Sequence, residues 1–326
     1  MLDVVIVGSG PIGLFAGFYA GMRKLNGCII ESLPYVGGQL TTLYKDKEIF
    51  DIPTQTSIKA KDVVNQVYMQ YKQFINEIPL YLNNELYSIK KIEKGYEILT
   101  SKQKIECKTI LFATGNGNFT PRKLTIEGND AENILYKIDS IEIFKNKKVV
   151  VLGGGDSALD WGVMLLENRI DTTIIHRRNE FRAHEKTIEK FKNKKGIIKT
   201  PYEVIKLILK NNLVQEIIIK NKETEKEETI TADYILVNYG FLPSKNKFNE
   251  ININVEQGSF IVNSDMSTSC DGIYACGNAV TYKGKLKTIA VGFGEAATAI
   301  TAINHYIFPN KNISNIYSSS AIKKED

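Results

Sequence analysis

Apolar residues in this 326-residue chain gather in short continuous runs: Val4–Val7, Cys28–Ile30, Ile110–Phe112, Val149–Leu152, Ile174–Ile175 and Ile235–Val237. Runs of this length, bounded by glycine, charged or turn residues, predict strands buried on both faces of a parallel sheet. Stretches of helical pattern lie between them, at 14–24 (LFAGFYAGMRK), after Ala158, and at 292–307 (GFGEAATAITAINHYI). A strand-rich segment runs from about Asn84 to Ile110, and strand signals return at 216–221 (EIIIKN) and 232–244 (ADYILVNYGFLPS). This alternation predicts the α/β class.

The first run leads into Gly8-Ser9-Gly10-Pro11-Ile12-Gly13, then a helix, then a strand ending at Glu31. Strand, G-x-G-x-x-G, helix, strand, acid is the order that binds a dinucleotide. Gly8 permits the tight turn, Gly10 lets backbone approach a pyrophosphate, and Gly13 lets helix and strand pack closely. The helix N-terminus faces the phosphates, and Glu31 can accept hydrogen bonds from ribose hydroxyls. The pattern then recurs as a strand, Gly153-Gly154-Gly155-Asp156-Ser157-Ala158, a helix and a strand. Gly153 and Gly155 match the first two glycines and Ala158 the third.

Glu31 follows Gly13 by 18 residues, and His176 follows Ala158 by the same 18. Where the first copy has an acid, the second reads His176-Arg177-Arg178, with Arg182 close behind. The chain has six arginines, and three of them are here. A carboxylate suits a ribose diol and repels a 2′-phosphate, whereas guanidinium groups bind phosphate bidentately and stay charged. The second site is therefore expected to take NADP(H), with Arg177, Arg178 and Arg182 as the clamp and His176 packing or hydrogen bonding beside them. Two sites of opposite 2′ chemistry suggest FAD at the first and NADPH at the second.

The expected architecture is two Rossmann-like three-layer dinucleotide-binding domains, one inserted into the other. The boundaries fall at 1–118 (first part of the FAD domain), 119–239 (NADPH domain) and 240–326 (second part of the FAD domain, with a C-terminal tail). Pro121, Gly240 and Pro243 punctuate the crossings.

Composition narrows the partners. Hydrophobic residues at 43% and charged residues at 24% are globular values. No apolar run reaches bilayer length, and the start MLDVVIVGSG lacks the basic region of a signal peptide. A cytoplasmic protein without membrane contact is expected. The net charge of +5 favours acidic partners, while the basic clusters are too short and scattered for nucleic acid. Cys28, Cys107, Cys270 and Cys276 form no C-x-x-C and no zinc pattern with the histidines, so each reads as a small buried apolar residue.

The order GSGPIG, GGQL, ATG, GGGDSA, HRRNEFRAH, GIYACGN resembles the thioredoxin-reductase-like flavoproteins across nearly the whole chain. Thioredoxin reductases carry a redox C-x-x-C just before the second glycine motif, and here that place holds no cysteine. What remains resembles the ferredoxin–NADP+ reductases of the thioredoxin-reductase type, with supporting strings at 30–44, 115–124, 153–161 and 283–299. The resemblance implies hydride transfer from NADPH to FAD, then single electrons to a ferredoxin or flavodoxin, with no protein acid or base in the hydride step. It places Glu31 on the FAD ribose, Gly37-Gly38, Gln39 and Leu40 on the flavin side, Tyr44 on one flavin face, Leu86 at the adenine and Phe119 near the domain crossing. It also implies a homodimer in which Tyr317, followed by Ser318 and Ser319, covers the other flavin face. Two positions depart from that pattern: Asn278 stands where the family has Asp, and DIPTQT (51–56) replaces a Gly-Phe pair. An amide oxygen still accepts a hydrogen bond, so binding is expected to survive. Two alternatives stay open on the residues alone: a disulfide reductase using Cys270 and Cys276, and a non-catalytic flavoprotein that senses NADPH.

Overall fold

The structure is a computed structural model that describes residues 1–43, 45–117, 121–138, 140–240 and 251–310. The chain divides into two compact units, Met1–Gly117 with Pro243–Asp326, and Asn118–Leu242.

In the first unit five strands run parallel in the order Leu80–Tyr81, Gly27–Ile30, Leu2–Val7, Lys104–Phe112, Ile273–Ala275. Lys104–Phe112 has two jobs. Its second half pairs with Ile273–Ala275, while its first half pairs antiparallel with Gly95–Thr100, which in turn pairs with Leu86–Ile92. Gly27–Ile30 is buried at every position, as a strand covered on both faces must be. Helix Pro11–Met22 packs against helices Ala60–Lys72 and Ile289–Ile307. It is apolar almost all round because sheet and helices enclose it, and Pro11 sits at its first turn, where its missing N–H costs nothing.

The second unit repeats the design. Its parallel order is Ile197–Lys199, Asp171–Ile175, Lys148–Leu152, Tyr234–Val237, Ile134–Leu135. Here the antiparallel layer is a separate sheet of Tyr202–Lys210, Leu213–Asn221 and Glu227–Thr231. The central strand shows how one run serves two faces. Val149 and Val151 pack with Leu159, Val163 and Phe191 on the helical side. Val150 and Leu152 pack with Val204, Ile217 and Ile219 on the antiparallel side. The period-2 alternation of a strand does this with apolar residues throughout.

Two local differences from the sequence reading have physical causes. The last helix begins at Ile289 rather than 292, because Thr288 caps it by accepting a hydrogen bond from the Val291 N–H. Helix Ala60–Lys72 escaped notice because its apolar stripe of Val63, Val64, Val67 and Tyr71 is diluted by polar residues on the other face. DIPTQT lies in the connection between Glu48–Ile49 and Ile58–Lys59, which pair antiparallel.

Candidate functional site

In the first unit the site-bearing loops all leave the carboxyl ends of the parallel strands, where such sheets bind ligands. Gly8 has φ +105°, and a Cβ there would lie 2.7 Å from the Ala113 carbonyl oxygen, so only glycine permits the turn. A Cβ on Gly13 would come within 1.9 Å of the Gly8 oxygen, whereas one on Gly10 would meet no protein atom within 4 Å. Gly10 thus presents bare backbone, at the start of a twelve-residue helix, to open space. The Gly37-Gly38 turn is tied to this loop: Gly37 N–H donates to the Ser9 carbonyl at 2.8 Å. A Cβ on Gly38 would sit 3.4 Å from the Gly10 Cα. Gln39 and Leu40, which open the short helix Gln39–Thr42, are therefore held beside the glycine loop.

Glu31 is buried at the end of its strand. One carboxylate oxygen accepts from the Ser9 N–H at 2.8 Å and the Ser9 hydroxyl at 3.0 Å. The other accepts from the Leu33 N–H at 2.9 Å and the Ser32 hydroxyl at 3.2 Å. The two backbone donors fix the carboxylate, and the two hydroxyls are rotors that a ribose diol can replace. Asn84 N–H donates to the Glu31 carbonyl at 2.7 Å, which brings the approach to Leu86 alongside. Gly277, at φ +73°, opens the turn that carries half-buried Asn278. This turn and the start of the last helix both rest on Ile12: a Cβ on Gly277 or Gly292 would lie 3.4 or 2.7 Å from that side chain. Two helix N-termini and the Asn278 turn thus gather around the glycine loop, an arrangement suited to an anionic dinucleotide. The residues present fit FAD.

In the second unit a Cβ on Gly153, at φ +147°, would lie 2.5 Å from the Asn238 carbonyl oxygen, and one on Gly155 would meet nothing within 4 Å. Ala158 is fully buried. The loop carrying the arginines folds back over this turn. Arg182 N–H donates to the Gly154 carbonyl at 2.8 Å, and His184 N–H donates to the Asp156 carboxylate at 3.0 Å. Ser157 follows in the first turn of helix Asp156–Glu167. His176 packs: its ring lies where a Cβ on Gly154 would come within 2.5 Å, and it stacks on Phe181 with centroids 5.3 Å apart. Burial lowers its pKa most, the bond to Glu180 opposes this, and the neighbouring arginines lower it further. Its Nε2–H donates to the Glu180 carbonyl at 3.2 Å. Arg177, Arg178 and Arg182 are exposed, and among the described residues none of the three forms a salt bridge. Exposed guanidinium groups on a loop tied to a glycine turn through backbone fit the 2′-phosphate of NADP(H).

Cys28, Cys107 and Cys276 are buried, and burial raises each thiol pKa, that of Cys28 to about 12. The partly exposed Cys270 donates to the Asn252 carbonyl at 3.3 Å. All four are free thiols. Tyr44, Phe119, Tyr317 and Ser319 lie outside the described residues. Sequence reasoning missed Ser9, whose place inside the first motif was the one available signal, and Glu295, which nothing in the chain order marks.

Two repeated nucleotide folds, one offering a carboxylate and the other guanidinium groups at the matched strand end, define a flavoprotein oxidoreductase that uses a pyridine nucleotide. The profile of the pyridine nucleotide-disulphide oxidoreductases matches residues 2–301, and the chain belongs to that family. It is 45% identical over 324 residues to a ferredoxin–NADP reductase of Acholeplasma laidlawii, covering 99% of this chain and 100% of that one. It is 39% identical over 322 residues to ferredoxin–NADP reductase 2 of Bacillus cytotoxicus, covering 98% and 97%. Among solved structures, Lactococcus lactis thioredoxin reductase superposes with a TM-score of 0.81 at 24% identity, covering 94% of this chain and 99% of that one. The T. acidophilum enzyme gives 0.79 at 22%, covering 93% and 97%. These structural likenesses show the fold. The chain is an FAD-dependent oxidoreductase that uses NADPH.

Proposed function

We propose that this chain reduces a ferredoxin or a flavodoxin with electrons from NADPH. The observation that carries the reading is the exchange at matched strand ends, Glu31 in one unit for His176-Arg177-Arg178 in the other. FAD, when bound, accepts a hydride from NADPH and releases its electrons singly. The chain's residues bind and orient. The Gly8–Gly13 loop and Glu31 hold the pyrophosphate and ribose of FAD, with Pro11 and Ile12 shaping the loop. Asn278 meets the ribityl side, and Gly38, Gln39 and Leu40 border the flavin. Leu86 offers its backbone to the adenine. Gly153, Gly155, Asp156, Ser157 and Ala158 form the NADPH turn, and Arg177, Arg178 and Arg182 clamp its 2′-phosphate. No acid or base is needed for the hydride, so positioning is the protein's contribution.

The acceptor follows from the cysteines. A disulfide reductase needs an exposed thiolate beside the flavin, and this chain has no C-x-x-C and three buried thiols. The names of the relatives support a ferredoxin. The reading extends to a cytoplasmic homodimer in which Tyr44 and Tyr317 flank the flavin, with Phe119 and Ser319 nearby. Among the described residues no helix is long and apolar enough to cross a membrane. Sedimentation equilibrium of the full chain and of a chain ending at 310 tests the dimer; a monomer in both sinks that part. Anaerobic mixing tests the cofactor assignment: NADPH bleaches the bound flavin at far lower concentration than NADH. Equal efficiency of the two nucleotides contradicts it.

A further inference from the structure

Glu295 and Lys285 form an ion pair inside the first unit, with side chains 5% and 4% exposed and Oε1 2.5 Å from Nζ. The same carboxylate accepts from the Tyr282 hydroxyl at 2.6 Å and, through Oε2, from the Gly277 N–H at 2.8 Å. The Lys285 ammonium also lies 5.6 Å from the centre of the Tyr282 ring. Burial, then the bond to Glu295, push the Tyr282 pKa up to about 12, so the phenol remains a donor. A buried ion pair is an expensive way to stabilise a fold, since well-packed apolar residues of similar volume do as well. Its effect here is geometric. Glu295 stands on the last helix, two turns in from Thr288, and grips the first residue of the turn that carries Asn278. That turn and that helix start both rest on Ile12 of the glycine loop. One carboxylate therefore fixes the spacing of the three elements that surround the FAD site. It also brings a negative and a positive charge that cancel behind a turn whose own polar residue, Asn278, is neutral.

We propose that Glu295, neutralised by Lys285 and Tyr282, is a positioning residue that aims the Asn278 turn and the last helix at the flavin end of FAD and sets the electrostatic field there. This rests on FAD binding in the first unit. The effects on the flavin have signs. Glu295→Gln leaves Lys285 as an uncompensated buried cation, which favours the more negative reduced flavin. Tyr282→Phe keeps the ion pair but strips a donor from the carboxylate, which strengthens the negative field. A merely structural network predicts neither.

The test uses the FAD-loaded protein and reads flavin midpoint potential, visible spectrum, FAD dissociation constant and melting temperature. Glu295→Gln is expected to weaken FAD binding by about ten-fold and move the potential positive. Tyr282→Phe is expected to move it negative. Adding Lys285→Met to Glu295→Gln is expected to return it toward wild type. Variants with wild-type potential, spectrum and FAD affinity, differing only in melting temperature, overturn the proposal. If Glu295→Gln does not fold, Tyr282→Phe decides by the same criterion. A wild type that takes up no FAD overturns the cofactor reading itself; a yellow wild type matched by its variants overturns this proposal alone.

Discussion

Glu31 and His176 end equivalent strands, and the residues around them do unlike work. Glu31 is held by two backbone donors with hydroxyl rotors on its remaining lone pairs. His176 packs on Gly154 and braces a loop whose arginines face outward. The Arg177→Ala, Arg178→Ala double variant is expected to raise KM for NADPH ten-fold or more, about 1.4 kcal/mol or above for lost charge-assisted bonds. KM for NADH should hardly change, and steady-state kinetics with both nucleotides checks it; equal losses would mean that these residues do not read the 2′-phosphate. The cysteines give a second residue-scale test. Burial raises the thiols of Cys28, Cys107 and Cys276 far above neutral pH, so alkylation of the native protein at pH 8 should mark Cys270 alone and leave activity intact. Peptide mass mapping reads the sites, and rapid labelling of Cys276 with loss of activity would contradict the account. Arginine placement was legible in the sequence because motif spacing aligns it with Glu31. The packing role of His176 was only half legible, since ring contact with Gly154 depends on how the loop folds back.

At the scale of elements, each glycine loop joins a strand to a helix under two separate constraints. Gly13 is glycine because its neighbour in the protein leaves no room, and Gly10 is glycine although the protein leaves ample room. These reasons separate experimentally. Gly10→Ala should leave the melting temperature of the FAD-free protein unchanged and weaken FAD binding by about ten-fold or more. Gly13→Ala should lower both, because its Cβ must push the Gly8 carbonyl aside. Thermal melts and FAD titration on both variants check the pair; Gly10→Ala with wild-type FAD affinity would remove that residue from the site. The motifs were readable because strand, loop and helix are local in sequence. Helix Ala60–Lys72 and the Glu295 network were not. The helix hides its stripe among polar residues, and the network joins groups whose meeting is decided by how the last helix packs on the glycine loop.

At the scale of the whole molecule, one plan is used twice: five parallel strands, an antiparallel three-stranded layer and helices. In the first unit the outermost parallel strand, Ile273–Ala275, is last in sequence; in the second the matching strand, Ile134–Leu135, is first. That difference accompanies a first unit built from two separated segments of the chain. The α/β class and the doubled motif could be read from apolar runs and glycine spacing. The double duty of Lys104–Phe112 could not, because pairing partners are set by tertiary structure. The chain carries a net charge of +5, which suits acidic carriers and implies association that slows as salt rises. The central claim is that electrons from NADPH leave this protein singly, to a carrier and not to a disulfide. Anaerobic turnover with NADPH tests it most directly, using purified ferredoxin or flavodoxin in one arm and oxidised thioredoxin in the other, each across a range of ionic strength. The account predicts reduction of the carrier at a rate that falls with salt, and none of thioredoxin. Thioredoxin reduction that disappears on changing Cys270 or Cys276 to Ser, with no carrier reduced, would contradict it.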